Sequence, residues 1–387
     1  MGIELSTQQK ELQSAFRAFA GDYIAPQAGD FDRQEAMPRQ FLDGLAERGY
    51  LASHVPPEHG GRGLDMISYG LLHEEFGRVC SSTRTFLTVH DMVAEVILRI
   101  GGDELRNAWL PALTAGRYLA AFALTEPEAG SDAAAIQTTA AQDGEGYLLT
   151  GQKKWISFGQ VADLFLVIAR IGEGGPPGGF LVRRDTPGLT ITPMKGLLGL
   201  RGTMLAELHF DECPVSGDSR VGPAGMPSGL LTGTALQLGR YSVAWGCVGI
   251  GESCMEASFQ YSSERTQFGV LLGQHQLIRR MLTDMVTDVR AARLLCLQAG
   301  HLLQARDATA IQATLIAKYF ASRMANRVAS DAVQIHGANG TSDTRPIERH
   351  FRDARIMEII EGSTQIQQIT IAKYGLQEYR PRGSPVE

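Results

Sequence analysis

The apolar residues of this chain change their repeat twice, and that change limits the available folds more than any other feature. From Ser6 to about Ala120 they recur at helical spacing, as in Leu12, Phe16 and Phe19 and again in Leu71, Leu72 and Phe76. The stretch Pro56 to Asp65 interrupts this region with two prolines and the glycines 60, 61 and 63, a turn-rich connection. Between Phe122 and Gly229 the runs become short and β-branched or aromatic: Tyr147-Leu-Leu-Thr-Gly, Leu164-Phe-Leu-Val-Ile-Ala, Gly179-Phe-Leu-Val and Leu189-Thr-Ile-Thr. Ala206, Leu208 and Phe210 alternate with Glu207, His209 and Asp211, as in a half-buried strand. From Leu230 helical spacing returns over 230–261, 271–304, 308–336 and 346–375, with Leu277, Met281, Met285 and Val289 expected on one apolar stripe. Short turns such as HGANG between helices of that length imply a bundle. The expectation is an α+β chain with an N-terminal helical domain over 1–121, a middle β domain over 122–229 and a C-terminal four-helix bundle over 230–387.

Other features exclude whole classes. The 387 residues balance 36 Lys and Arg against 42 Asp and Glu, a formal charge of −6 without long runs of one sign, so neither nucleic acid nor a membrane surface is an expected partner. The five cysteines (80, 213, 247, 254 and 296) are odd in number and form no CxxC pair. They read as buried thiols in a reducing, cytoplasmic compartment. No apolar run nears the roughly 18 residues of a membrane span, and the N-terminus lacks a signal-peptide layout. Met1 to Ser6 fits the loose myristoylation pattern, but Ser6 with Gln9 also reads as a capping box, and we take the cap. There is no phosphate-binding P-loop. Gly246-Cys-Val-Gly249-Ile-Gly251 reverses the dinucleotide fingerprint and lies in a helical stretch. No HExxH or His/Cys cluster marks a metal site.

Three segments could carry chemistry. Phe122-Ala-Leu-Thr-Glu-Pro-Glu-Ala-Gly-Ser-Asp132 offers hydroxyls and main-chain amides where the helical and β regions meet, suited to cradling a polar cofactor edge. Composition alone favours a capped interdomain turn. Trp155-Ile-Ser157 ends a strand with an aromatic ring beside a hydroxyl, which suits stacking on a flat cofactor, although a Trp beside a strand is usually core. Glu361 follows two isoleucines and precedes a glycine. An apolar approach raises a carboxylate's pKa and strengthens it as a base for a weakly acidic C–H; spacing alone favours an ordinary surface glutamate.

Taken together, TEPEAGSD, GQKKWIS, RTQFG followed by QHQ, QIHGANG and IIEGSTQIQ give a strong signal. In this order and at these separations the sequence resembles the acyl-CoA dehydrogenase family over nearly its whole length, and the three-part division matches that family's helical, β and four-helix domains. The resemblance implies FAD, an acyl-CoA or acyl-carrier-protein thioester substrate, and an electron-transfer flavoprotein or other acceptor. It implies that Glu361 removes the α proton while a hydride leaves the β carbon for the flavin. The enolate charge would be met by the main-chain N–H of the base and a flavin ribityl hydroxyl, an oxyanion-type arrangement. Arg240 matches an arginine that orients the base. Phe122, Leu124, Thr125, Gly130 and Ser131 match cofactor and substrate contacts. Trp155, Ile156 and Ser157 would flank the ring, with Ser where many relatives have Thr. Ser363 and Gln365 match the pair that reaches the adenosine.

Arg265, Gln267, Phe268, Gln276, Gln334, Gly337 and Ala338 match residues that in relatives reach the FAD of a neighbouring subunit. Ala338 replaces a second glycine common there. This implies at least a dimer, and by family habit a homotetramer built as a dimer of dimers. The Cys80-Ser-Ser-Thr-Arg and Ser242-to-Gly249 stretches resemble a branch acting in polyketide and nonribosomal peptide biosynthesis. With the bulky Trp245 read as shortening the acyl cavity, or else facing the bundle core, the expectation is a short or polar acyl group. Two alternatives stay open at this point: a flavin oxidase or monooxygenase of the same fold, which the retained Glu361 argues against, and a non-catalytic scaffold.

Overall fold

The computed structural model describes residues 4–223 and 225–379. The myristoylation pattern falls mainly on residues 1–3, outside that set. The capping box is formed: Ser6 N–H donates to Gln9 Oε1 at 3.0 Å and Gln9 N–H to Ser6 Oγ at 3.2 Å, opening α1 (Thr7–Phe19). Helices α2 (Ala25–Gln34), α3 (Arg39–Glu47), α4 (Met66–Val79), α5 (Ser81–Ile100) and α6 (Asp103–Thr114) follow.

The chain forms two compact units. One comprises Arg17–Tyr69 and Cys80–Gly239. Its sheet contains β1 (Ala120–Ala123), β2 (Thr139–Asp143), β3 (Gly146–Ile156), β4 (Leu164–Ile171), β5 (Pro177–Arg183), β6 (Leu189–Pro193), β7 (Ala206–Val215) and β8 (Arg220–Val221). The strand order is β6-β7-β3-β2-β4-β5-β8, with β1 parallel to β4. Strand β4 is apolar on both faces because both are covered. Leu164, Leu166 and Ile168 join Val93, Val96 and Ile97 of α5 and Leu110 and Leu113 of α6, while Phe165, Val167 and Ala169 join Phe180, Leu208 and Phe210. Strands β1, β2 and β8 were not among the expected runs: at two to five residues they are too short for alternation to register.

The second unit comprises the chain up to Phe16, Gly70–Val79 and everything from Arg240 on. Here lie most of α7 (Ser228–Glu264), the hairpin β9 (Thr266–Gln267) and β10 (Val270–Leu271), α8 (Gln276–Gln304), α9 (Ala310–His336), α10 (Ile347–Met357) and α11 (Thr364–Glu378). The Gly246–Gly251 pattern serves helix packing. A Cβ on Gly77 would lie 2.7 Å from Gly246 Cα, and one on Gly249 would lie 2.1 Å from Glu74 O, so α4 and α7 approach at backbone contact. Trp245 is wholly buried over Gly70, edge-on to Tyr241 and beneath the Arg293 guanidinium. The indole therefore packs in the core of this unit.

Three helical expectations are corrected. Leu277 is 73% exposed, whereas Met285 and Val289 are buried, so the stripe begins a turn later than its spacing suggested. The helix expected from 271 starts at Gln276, because Phe268 (φ 54°) and Gly269 (φ 78°) close a two-residue hairpin loop of the primed geometry, ahead of it in the chain. The helix expected over 346–375 is broken between Met357 and Thr364, where Ser363 Oγ caps the N-terminus of α11 by accepting from Ile366 N–H. All five cysteines are buried free thiols. Among the described residues no helix is long and apolar enough to cross a membrane.

Candidate active site

Glu361 sits in the break between α10 and α11 with φ at 55°, followed by Gly362 at φ 90°. A left-handed glutamate is costly and persists only where its surroundings hold it. Three side chains on three helices do so. Arg240 Nε of α7 donates to Glu361 O at 3.1 Å, Lys318 Nζ of α9 donates to Gly362 O at 2.8 Å, and Gln367 Nε2 of α11 donates to both carbonyls at 3.1 and 3.2 Å. A Cβ on Gly362 would lie 2.8 Å from Gln367 Nε2, so the glycine is required by space as well as by conformation. Below the turn Glu358 accepts from Asn326 Nδ2 at 2.6 Å and from Thr364 Oγ1 at 3.0 Å. Burial depresses the Arg240 pKa, opposed by the nearby Glu361 and Tyr374. Burial likewise lowers Lys318 to about 8, against the pull of Cys247, Glu361 and Glu358. The arrangement fixes the main chain that carries one carboxylate, at a chain reversal beside buried cations, which suits an aimed base.

The structure brings Arg240, Glu361 and Ser363 into this one neighbourhood, with Gln365 exposed on the first turn of α11. Lys318 and Gln367 were missed. A lysine and a glutamine inside amphipathic helices look like solvated surface, and only their complete burial sets them apart.

A second group in the same unit is held by contacts of its own. Arg265, Gln267 and Phe268 lie on the exposed hairpin, where Leu272 N–H donates to Arg265 O at 2.8 Å. His275 Nε2 lies 3.2 Å from Gln267 O, placing the hairpin beside Gln276 at the start of α8. Gln334, Gly337 and Ala338 are exposed at the end of α9, whose last turn packs on α7 through Tyr261 stacked on His336. Phe268 is 97% exposed in a left-handed conformation, with only the edge-on ring of His275 beside it at 6.2 Å between centroids among the described aromatic contacts.

In the other unit the TEPEAGSD segment is tied to the end of β3. Lys154 N–H donates to Thr125 O at 2.9 Å. Lys153 Nζ, wholly buried, donates to Leu124 O at 2.9 Å and to Glu126 Oε1 at 2.7 Å. Glu126 also accepts from the Gln137 and Thr138 amides at 2.6 and 2.9 Å. Burial opposes ionisation of Glu126, but these bonds outweigh it and hold the carboxylate below its ordinary range; burial of the ammonium lowers Lys153 to about 8. The pairing of β3 with β7 is irregular between Lys153 and Ile156, and Trp155 sits at φ 61° with half its surface exposed, so the bulge turns the indole outward. The expected cofactor residues Phe122, Leu124, Thr125, Trp155, Ile156 and Ser157 therefore lie on two joined backbone segments, with Gly130 and Ser131 exposed beyond them.

These residues fit a flavin. A Cβ at Gly130 would meet nothing nearer than Thr125 Cγ2 at 4.0 Å, and its φ is not left-handed. Neither conformation nor packing within the chain requires that glycine, so its side is open to a bound group.

Comparison with known proteins identifies the family. Models of the acyl-CoA dehydrogenase N-terminal, middle and C-terminal domains match residues 6–117, 121–213 and 230–376. The short-chain specific acyl-CoA dehydrogenase of human mitochondria is 35% identical over 382 residues, covering 98% of this chain and 92% of that one. Butyryl-CoA dehydrogenase from Megasphaera elsdenii superposes with a TM-score of 0.93 at 30% identity, over 97% of this chain and 100% of that one. FkbI, described for biosynthesis of the methoxymalonyl extender unit of a polyketide, superposes at 0.86 with 32% identity, over 94% and 99%. On its sequence, its fold and its clamped glutamate, the chain belongs to the acyl-CoA dehydrogenase family, flavoprotein oxidoreductases that act on the CH–CH group of acyl thioesters.

Proposed function

We propose that this chain dehydrogenates a short acyl thioester at its α,β bond, with Glu361 as the base and FAD as its cofactor. The observation that carries the reading is the left-handed Glu361 turn, gripped at both carbonyls by Arg240, Lys318 and Gln367. Such a grip fixes the main chain that carries the carboxylate for proton abstraction. FAD, when bound, supplies the acceptor for the two electrons that leave the β carbon. Leu124, Thr125, Gly130, Ser131 and Trp155 to Ser157 would hold it, with Phe122 behind them on β1; Ser363 and Gln365 would reach its adenosine part. Glu361 takes the α proton, and its own main-chain N–H polarises the thioester carbonyl as negative charge develops there.

The short acyl group is inferred from the likeness to the short-chain and butyryl-CoA enzymes, since Trp245, buried in the core, supplies no support. The likeness to FkbI extends the substrate class to acyl groups on a carrier protein and the setting to secondary metabolism. Arg265, Gln267, Phe268, Gln276, Gln334, Gly337 and Ala338 would meet the cofactor of a second copy, making the working form a dimer or a dimer of dimers. The exposed Phe268, Leu277 and Leu376 support burial in such an assembly. An electron-transfer flavoprotein would reoxidise the enzyme, and the cytoplasm is its compartment. Anaerobic titration with acyl groups of increasing length, on CoA and on a carrier protein, tests the reading through bleaching of the flavin spectrum. Fastest bleaching by a short acyl thioester is expected; no bleaching by any thioester, or fastest bleaching by a long-chain one, would overturn it.

A further inference from the structure

Lys318 is a buried cation whose charge the reaction as proposed does not use. It lies eight residues into α9, is wholly buried, and spends its ammonium on Gly362 O at 2.8 Å, the carbonyl that follows the base. A buried ammonium costs several kcal/mol unless it is paired, so a lysine placed here needs a return. A neutral donor such as glutamine would satisfy a carbonyl, and Gln367 already donates to the same oxygen. What lysine adds is charge. The groups facing it are Arg240 and Cys247 from α7 and Glu358 and Glu361 from the turn; Arg240 opposes its charge, while Cys247, Glu358 and Glu361 favour it. Of the two carboxylates, Glu361 acts on the lysine more strongly than Glu358.

Resting on the assignment of Glu361 as the base, we propose that Lys318 is a positioning residue for catalysis: it holds the left-handed turn that aims Glu361, and its charge keeps that carboxylate ionised at neutral pH. The two effects are separable. Holding the turn affects the rate at every pH, whereas the charge sets where the rate begins to rise. An opposite charge a few ångströms from a carboxylate lowers its pKa by about one unit or more. Losing the lysine charge therefore moves the rising limb of the pH profile upward by about one unit.

The test is anaerobic single-turnover bleaching of the FAD-loaded enzyme between pH 5 and 9, comparing wild type, Lys318→Met, Lys318→Arg and Glu361→Gln with the best substrate of the thioester panel. Lys318→Met is expected to keep its flavin and its substrate affinity, to bleach at least about tenfold more slowly at pH 7, and to show the limb displaced upward by about one unit. Lys318→Arg keeps the cation but alters its reach, so its limb should stay at the wild-type position while the rate falls. A Lys318→Met enzyme with wild-type rate and limb, beside an inactive Glu361→Gln, overturns this inference and leaves the base assignment standing. Normal bleaching by Glu361→Gln overturns both. If Lys318→Met does not fold, Lys318→Gln, which keeps a donor without the charge, decides: a limb displaced upward supports the charge effect and an unmoved one contradicts it.

Discussion

Replacing Lys153 by Met should loosen the flavin-facing loop and destabilise its unit in a pH-dependent way. Lys153 and Glu126 are both buried, and the ammonium also holds Leu124 O. Removing one partner of a buried pair costs about 3–5 kcal/mol, because the survivor is left charged in a dry site. The lower end applies here, about 3 kcal/mol at pH 7, since the Gln137 and Thr138 amides still bind the carboxylate. The pair is asymmetric: burial holds Lys153 at about 8 rather than its ordinary 10.5, while Glu126 gains from its bonds. Below pH 8 the folded lysine bears the cost of staying charged. Between pH 8 and 10.5 the unfolded chain binds more protons at this site than the folded one, so wild-type stability gains with rising pH and Lys153→Met lacks that gain. The difference between the two proteins should widen by about 1–2 kcal/mol from pH 7 to pH 9.5. Urea unfolding in excess FAD, followed by far-UV circular dichroism, measures the gap, and flavin fluorescence after dilution measures retention, expected to fall about tenfold for the loss of one tether worth about 1.4 kcal/mol. A gap under about 0.5 kcal/mol, or one that narrows as pH rises, would refute the reasoning.

Gly249→Ala should cost more than about 3 kcal/mol, because its Cβ would overlap the Glu74 carbonyl at 2.1 Å and neither backbone can yield. Gly233→Ala on the same helix meets nothing within 4 Å and should stabilise by about 0.5–1 kcal/mol; paired melting curves of the two variants check both. Gly130→Ala should leave folding unchanged yet weaken FAD binding at least about tenfold, since the space its methyl takes is free in the chain itself; equal FAD affinity in a dialysis titration would show that the loop does not approach the cofactor.

Much of the fold was legible because period is a property of many residues at once. The two-faced strand β4 and the long helices α7 and α9 could be read from 8 to 37 consecutive positions. Short strands could not, and neither could the break that makes the site. Between Ile347 and Gln367 the apolar spacing runs on as if one helix continued, and only Gly362-Ser363 hints at a stop. The base itself was found through family resemblance, since on spacing a glutamate before a glycine is ordinary surface. Part of its support escaped: Lys318 and Gln367 are polar residues whose burial is decided by distant segments. The place of Trp245, cavity or core, stayed open for the same reason, because nothing near it in the chain reveals that Gly70 makes room for an indole.

The most direct test of the central claim is the anaerobic reaction of Glu361→Gln with the best acyl thioester of the panel. Glutamine keeps the shape of the side chain and the main-chain bonds to Arg240 and Gln367, which use the Glu361 carbonyl rather than its carboxylate. FAD should remain bound with an unchanged oxidised spectrum, while bleaching slows by at least about 10²–10⁴-fold, the range that a general base supplies. Bleaching at a rate near that of the wild type would contradict the assignment of Glu361 as the base.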